Sequence, residues 1–203
     1  VMEHPSLFES IVTKFANTFK PGCAVNVAVC QFMKILALPA TNRLVMVKSL
    51  HFLRLLFLLL HDDSIETKKV VFEILTLSSL HRVGRTRIFA FLDHKFLEIA
   101  TKALDDPNLR EDSLSFIAVL VVHIPGKILS NKRPHLVRDL TRLAMLGESH
   151  SQQAAQVLVQ LAKSLSVNNG KGDLLDAILE LCNAKDVRIR LEGANALLAQ
   201  AQS

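Results

Sequence analysis

Eight histidines are the residues of this chain best suited to metal or acid–base chemistry, and they are scattered: His4, His51, His61, His81, His94, His123, His135 and His150. No two stand four apart, and no His-Glu-x-x-His motif occurs, so no helix face presents a zinc pair. Cys23, Cys30 and Cys182 follow no Cys-x-x-Cys spacing. His61-Asp62-Asp63 is the densest ligand-like cluster, and it reads better as a helix end followed by a capping turn. Nucleophilic catalysis of the hydrolase type needs a Gly-x-Ser-x-Gly elbow, which is absent. Val83-Gly84-Arg85 and Gly170-Lys171-Gly172 lack the Gly-Lys-Ser/Thr that completes a phosphate loop. No carboxylate pair stands on an apolar face that would drive two pKa values apart. These residue types predict no catalytic residue, metal or cofactor, and no small-molecule ligand. The expectation is a non-enzymatic protein.

Any surface chemistry must therefore be positioned by the fold. Hydrophobic residues make up 50% and charged residues 21% of 203 residues, enough for a sizeable core. There are only 7 Gly and 6 Pro, with no Trp or Tyr, which favours helix over strand. The most apolar stretch, Leu50 to Leu60, is broken by His51 and Arg54 and is far shorter than the ~20 residues of a membrane span. It reads as buried helix, as does the run from Phe116 to Val122, and no membrane span is expected. No signal peptide is visible. Free thiols and the lack of an Asn-x-Ser/Thr site suit an intracellular compartment, cytoplasmic or nuclear. Cys30, in an apolar helix, reads as a small core residue. The ends, Val1-Met2 and Gln200 to Ser203, read as those of a fragment cut from a longer chain.

Walking the chain exposes a repeat. Asp186 is followed by Ile189-Arg190, then Gly193, then Ala196-Leu197. About forty residues earlier come Glu148, His150-Ser151, Ala154 and Val157-Leu158. Before that come Asp105-Asp106, Leu109-Arg110, Ser113 and Phe116-Ile117, and before that Asp62-Asp63, Thr67-Lys68, Val71 and Ile74-Leu75. The anchors Leu75, Ile117, Leu158 and Leu197 stand 42, 41 and 39 apart, and Leu36 lies 39 before Leu75 without the acidic turn. The i, i+3, i+4, i+7 spacing lays an apolar stripe on each helix. The preceding acid caps it, and the small residue admits a close neighbour. Arg190, Arg110 and Lys68 are positioned to pair with the acidic turns. Helix pairs are expected at 5–19 with 22–38, 42–60 with 64–80, 88–104 with 107–123, 134–146 with 149–166, and 172–184 with 187–202. A short extra helix is expected at His81 to Arg87.

The pattern from Asp186 to Leu197, matched by Asp105 to Ile117 and Asp63 to Leu75, resembles a HEAT or armadillo repeat. That resemblance implies an all-α fold, a right-handed α-solenoid of about five repeats, forming one domain over residues 1–203. It also implies a scaffold or adaptor that binds proteins on an extended surface. Carriers of nuclear import cargo in the armadillo family grip peptides with Trp and Asn on the last helix of each repeat. Here Asn26 and Asn195 lie in second helices, but Trp is absent.

Such a solenoid has two loop edges. Turns within pairs carry Asp62, Asp63, Asp105, Asp106, Glu148 and Asp186. Turns between pairs carry Arg43, Arg82, Arg85, Arg87, Lys127, Lys132, Arg133 and Lys171, with His81 and His135 among them. Partner contacts are expected from Arg82, Arg85, Arg87, Lys127, Lys132, Arg133 and His135, above all from the long turn from Ile124 to Pro134. The partner would be a protein segment, acidic or phosphorylated, held on this basic edge or on the concave face. The same loops also read as ordinary solvated connectors. A net charge of +5 and a pI near 9.3 leave duplex nucleic acid as an alternative partner, and homo-oligomerisation as another. Single strands are not expected, because the 11 Phe fall at helix-core positions such as Phe32, Phe52, Phe72 and Phe116.

Overall fold

The computed structural model describes residues 5–122, 124, 135–164 and 171–201. Twelve helices and no strand occur among the described residues, so the protein is all-helical. They are α1 (Pro5–Thr18), α2 (Ala24–Ala37), α3 (Ala40–Met46), α4 (Leu50–Leu59), α5 (Ile65–Ser79), α6 (Arg82–Ala90), α7 (Lys95–Ala103), α8 (Arg110–Val121), α9 (Leu136–Met145), α10 (Ser151–Ser164), α11 (Lys171–Cys182) and α12 (Val187–Ala201).

Two expected helices are each divided. The apolar period runs unbroken from 42 to 60, yet the chain turns at Val47–Ser49. Ser49 caps α4 by accepting the Phe52 N–H at 3.0 Å, and its hydroxyl donates to Glu9 of α1 at 2.7 Å. The span 88–104 is divided because the short helix expected at His81–Arg87 continues to Ala90 as α6. Leu92, Asp93 and His94 then all adopt positive φ, at 44°, 53° and 69°. That conformation costs a non-glycine residue about 1–2 kcal/mol. Aromatic packing offsets it: Phe91 stacks on Phe96 with centroids 5.0 Å apart, and Phe57 meets both at 6.1 and 6.3 Å.

The chain forms two compact units, Val1–Phe116 and Ile117–Ser203, divided within α8. In the first, α1 packs on α4, α2 on α5, and α4 on α5, while α3 and α6 lie against α5. Phe72 of α5 meets Phe116 of α8 at 6.3 Å. In the second unit α9 pairs with α10 and α11 with α12, while α9 packs on α11 and α10 on α12. Within each unit, first helices stack on first helices and second on second. No pair buries its stripe alone.

Phe52, Phe72 and Phe116 are fully buried, as are the anchors Leu75, Ile117 and Leu158. The outermost anchors, Leu36 and Leu197, are half-buried. Phe32 departs from its expected core position and is 45% exposed, because it points away from the side of α2 that the rest of the unit covers. Close approach at the small positions is real. Ser113 and Ala154 are fully buried, and a Cβ on Gly193 would sit 2.7 Å from the backbone nitrogen of Cys182.

Candidate protein-binding surfaces

Four arginines share one structural task. Arg85 Nη1 donates to the carbonyls of Ser79 and Leu80 at 2.9 and 3.4 Å. Arg43 does so to Ala37 and Leu38 at 3.2 and 2.9 Å, and Arg190 to Ala184 and Lys185 at 2.9 Å each. Arg110 Nε reaches Leu104 at 3.0 Å. Each guanidinium reaches back to the unsatisfied carbonyls at the end of the preceding helix. Ser151, which replaces the basic residue in its repeat, performs the same service directly: its hydroxyl donates to the Leu143 carbonyl at 2.9 Å. The acidic turn is served by a different residue, since Arg188 binds the Asp186 carboxylate at 2.8 Å.

This geometry corrects the basic edge. Arg85 is 8% exposed. Burial first, and then the charge of Arg82, lowers its pKa from the usual guanidinium value. It is a buried cap rather than a contact residue, and Arg43 is likewise engaged. Arg82 and Arg87, on the outer side of α6, remain exposed. His135 is exposed at the start of α9, beside a groove of about 570 Å³ between α9 and α11 lined by Arg138, Arg142, Asp173, Asp176 and Glu180. Lys127, Lys132 and Arg133, with the turn at 125–134, lie outside the described residues.

The acidic set is also divided by burial. Asp62 is 1% exposed. Its Oδ1 accepts the Gly22 N–H at 2.5 Å, across forty residues, and the Asp63 N–H at 3.0 Å. Burial pushes its carboxyl upward, but the Gly22 and Asp63 N–H bonds, with the polar side chains of Thr67 and Asn26 close by, outweigh that and hold it below the usual carboxylate range. Asn26 donates to the Lys20 carbonyl at 2.8 Å and is buried, so it is structural. Nearby Cys30 is fully buried, and burial followed by the Asp62 charge pushes its thiol up to about 12.

The stacked second helices present a polar face in each unit. In the first, Lys34 of α2 pairs with Glu73 of α5 at 2.5 Å. Asp112 of α8 stands near Glu73 and Lys69, and burial and then Glu73 raise its pKa. In the second unit a groove of about 450 Å³ runs between α10 and α12, lined by Gln156, Val159, Gln160, Lys163, Glu192, Asn195, Leu198 and Ala199. Gln156 donates to Glu192 across it at 3.1 Å. Asn195 is exposed, whereas Asn26 is not. Gln156 and Gln160 escape a reading confined to loop charges, although their i, i+4 spacing on the polar side of α10 places them on one face.

Among the described residues no three His, Cys, Asp or Glu side chains assemble into a metal-binding group. No helix there is long and apolar enough to cross a membrane.

No family model matches the chain, and no curated protein matches it. Among solved structures it is similar to an engineered protein, Northeast Structural Genomics Consortium Target OR329. That likeness has a TM-score of 0.69 at 18% identity and covers 94% of this chain and 79% of the other. At such identity the likeness is one of fold alone.

Proposed function

We propose that this chain is a non-enzymatic interaction scaffold that binds an extended protein segment along the face of its second helices. In this reading the helices belong to a right-handed α-solenoid of about five armadillo/HEAT-like repeats. The short helices α3 and α6, each ahead of a helix pair, favour the three-helix armadillo form in the first unit.

The amide-lined groove between α10 and α12 carries the reading. Gln and Asn each offer two donors and an acceptor with two lone pairs. An extended peptide presents its own N–H and C=O groups about every 3.3 Å. Packed helices stand roughly 8–10 Å apart. Amides on neighbouring second helices therefore meet main-chain groups about three residues apart on one peptide. Such a grip tolerates many sequences. Lys163 and Glu192 at the groove add a charge preference.

The experiment is capture from nuclease-treated lysate at low and high salt, followed by mass spectrometry. Wild type is compared with a Gln156→Ala/Gln160→Ala/Asn195→Ala variant. Proteins retained by wild type at both salt levels and lost with the variant are expected. An identical retained set in both would overturn the reading.

Exposed Arg82 and Arg87 support a second reading, an edge for an acidic or phosphorylated segment or for duplex nucleic acid. Phosphate contacts make affinity fall steeply with salt. A flat salt response, or unchanged binding by Arg82→Glu/Arg87→Glu, removes it.

A further inference from the structure

The groove between α10 and α12 carries one charge of each sign, and the two helices fix where each stands. Gln156 Nε2 donates to Glu192 Oε1 at 3.1 Å, so the Glu192 carboxylate lies level with Gln156. Lys163 follows Gln156 by seven residues on α10. At ~1.5 Å per residue its backbone lies about 10 Å further along the groove. The rest of the lining, Val159, Gln160, Asn195, Leu198 and Ala199, is uncharged.

Neither charge is neutralised inside the fold. Among the described residues no ion pair involves Glu192 or Lys163. Arg188, one turn before Glu192 on α12, is held by Asp186 at 2.8 Å. The bond from Gln156 is neutral, and a carboxylate accepts several bonds at once. A uniformly acidic occupant would set like charges together at Glu192, and a uniformly basic one would do so at Lys163. Either juxtaposition is costly, so the groove selects mixed charge.

We propose that the occupant of this groove is an extended segment with a basic and an acidic side chain about four residues apart and an apolar side chain midway between them. The inference rests on the groove being a peptide site, and it names the chemistry of that peptide. In an extended chain every second side chain faces the same way. Three successive groove-facing side chains therefore span about 13 Å. The basic one lies over Glu192, the acidic one over Lys163. The apolar one rests on Val159 and on Leu198, which is 58% exposed. The flexible stems of Lys163 and of the basic residue make up the difference between about 13 and about 10 Å. The charges then set which segments bind, while the amides hold the main chain.

The test is selection of random peptides displayed on phage against four forms of the chain: wild type, Glu192→Lys, Lys163→Glu, and Gln156→Ala/Gln160→Ala/Asn195→Ala. Circular dichroism confirms that all four fold. Wild type should enrich peptides with the basic, apolar and acidic residues in alternate positions. Glu192→Lys should enrich acidic residues at both ends of that spacing, and Lys163→Glu basic residues at both. Fluorescence anisotropy of a wild-type-selected peptide should show Glu192→Lys weakening binding by at least about tenfold. Reversing the peptide's basic residue to Glu should restore it. A wild-type pool that depends on the amides but lacks the mixed-charge pattern overturns this inference and leaves the groove reading standing. So does a pool that is the same for the charge variants as for wild type, or a reversal that restores nothing. A wild type that enriches no peptide, or a pool indifferent to the amide substitutions, overturns the groove reading and this inference together.

Discussion

Arg85 donates its guanidinium N–H to the carbonyl of Ser79, six residues back, at 2.9 Å. The bond converts a residue of the expected basic edge into part of the internal framework. Arg85→Met should lower stability by about 1.5–3 kcal/mol, the range for hydrogen bonds to charged groups. Arg85→Lys should recover only part, because the strongly hydrated ammonium on its flexible stem lacks the preorganised planar guanidinium and costs more to bury. Arg82→Glu/Arg87→Glu should leave stability within about 0.5 kcal/mol of wild type. Urea denaturation midpoints measured on the three proteins check this, and equal losses would refute the division of roles.

The bond from Gly22 to Asp62 gives the acid limb of stability a definite sign. The Asp62 pKa is lowered in the folded state. Its contribution is therefore complete above the unfolded carboxylate pKa and is lost as pH falls through the folded value. Asp62→Asn should melt well below wild type at neutral pH, with the gap narrowing in acid. Asp112, whose pKa is raised, acts in the opposite sense, so the difference between the two melting curves is the informative quantity. A constant gap across pH would contradict the assignment.

Two glycines should be intolerant of a methyl group, and for steric reasons. A Cβ on Gly84 would lie 2.0 Å from the Ser78 carbonyl oxygen, and one on Gly193 2.7 Å from the Cys182 nitrogen. Both contacts are with backbone, which yields little. Alanine at either position should cost about 1–3 kcal/mol, the range for overpacking. Gly147, with φ +73 and nothing within 4 Å, should cost about 1 kcal/mol from backbone strain alone. Thermal melts of the three variants give the ranking.

Thiol labelling separates the cysteines. Cys23 is exposed, while Cys30 is fully buried with a thiol pushed up to about 12. Only the thiolate is nucleophilic. Mass spectrometry of native protein treated with an alkylating reagent should find Cys23 modified and Cys30 intact until denaturant is added.

The helical class and the placement of most helices were legible because apolar spacing is set by which side of a helix is buried. Ser113, Ala154 and Gly193 were legible as close-approach positions for the same reason. The breaks at Ser49 and at Leu92–His94 were not. The apolar period continues across the first, and the second relies on aromatic packing among residues far apart in sequence. Loop charge proved a poor guide to exposure. Arg85 was expected in a turn but stands in α6, and Asp62 does sit in a turn; in both, charge suggests solvent, yet each satisfies backbone groups that the fold would otherwise leave buried and unpaired. The exposure of Phe32 was hidden as well, because an uncovered stripe has the same spacing as a covered one.

The central claim is that the second-helix groove, more than the basic edge, holds a partner segment. Calorimetric titration of a captured segment against three proteins tests it most directly: wild type, the Gln156→Ala/Gln160→Ala/Asn195→Ala variant, and the Arg82→Glu/Arg87→Glu variant. The groove substitutions should weaken binding by about tenfold or more, equivalent to about 1.4 kcal/mol, while the edge substitutions leave it within about twofold. Binding that survives the groove substitutions and collapses with the edge substitutions would contradict it.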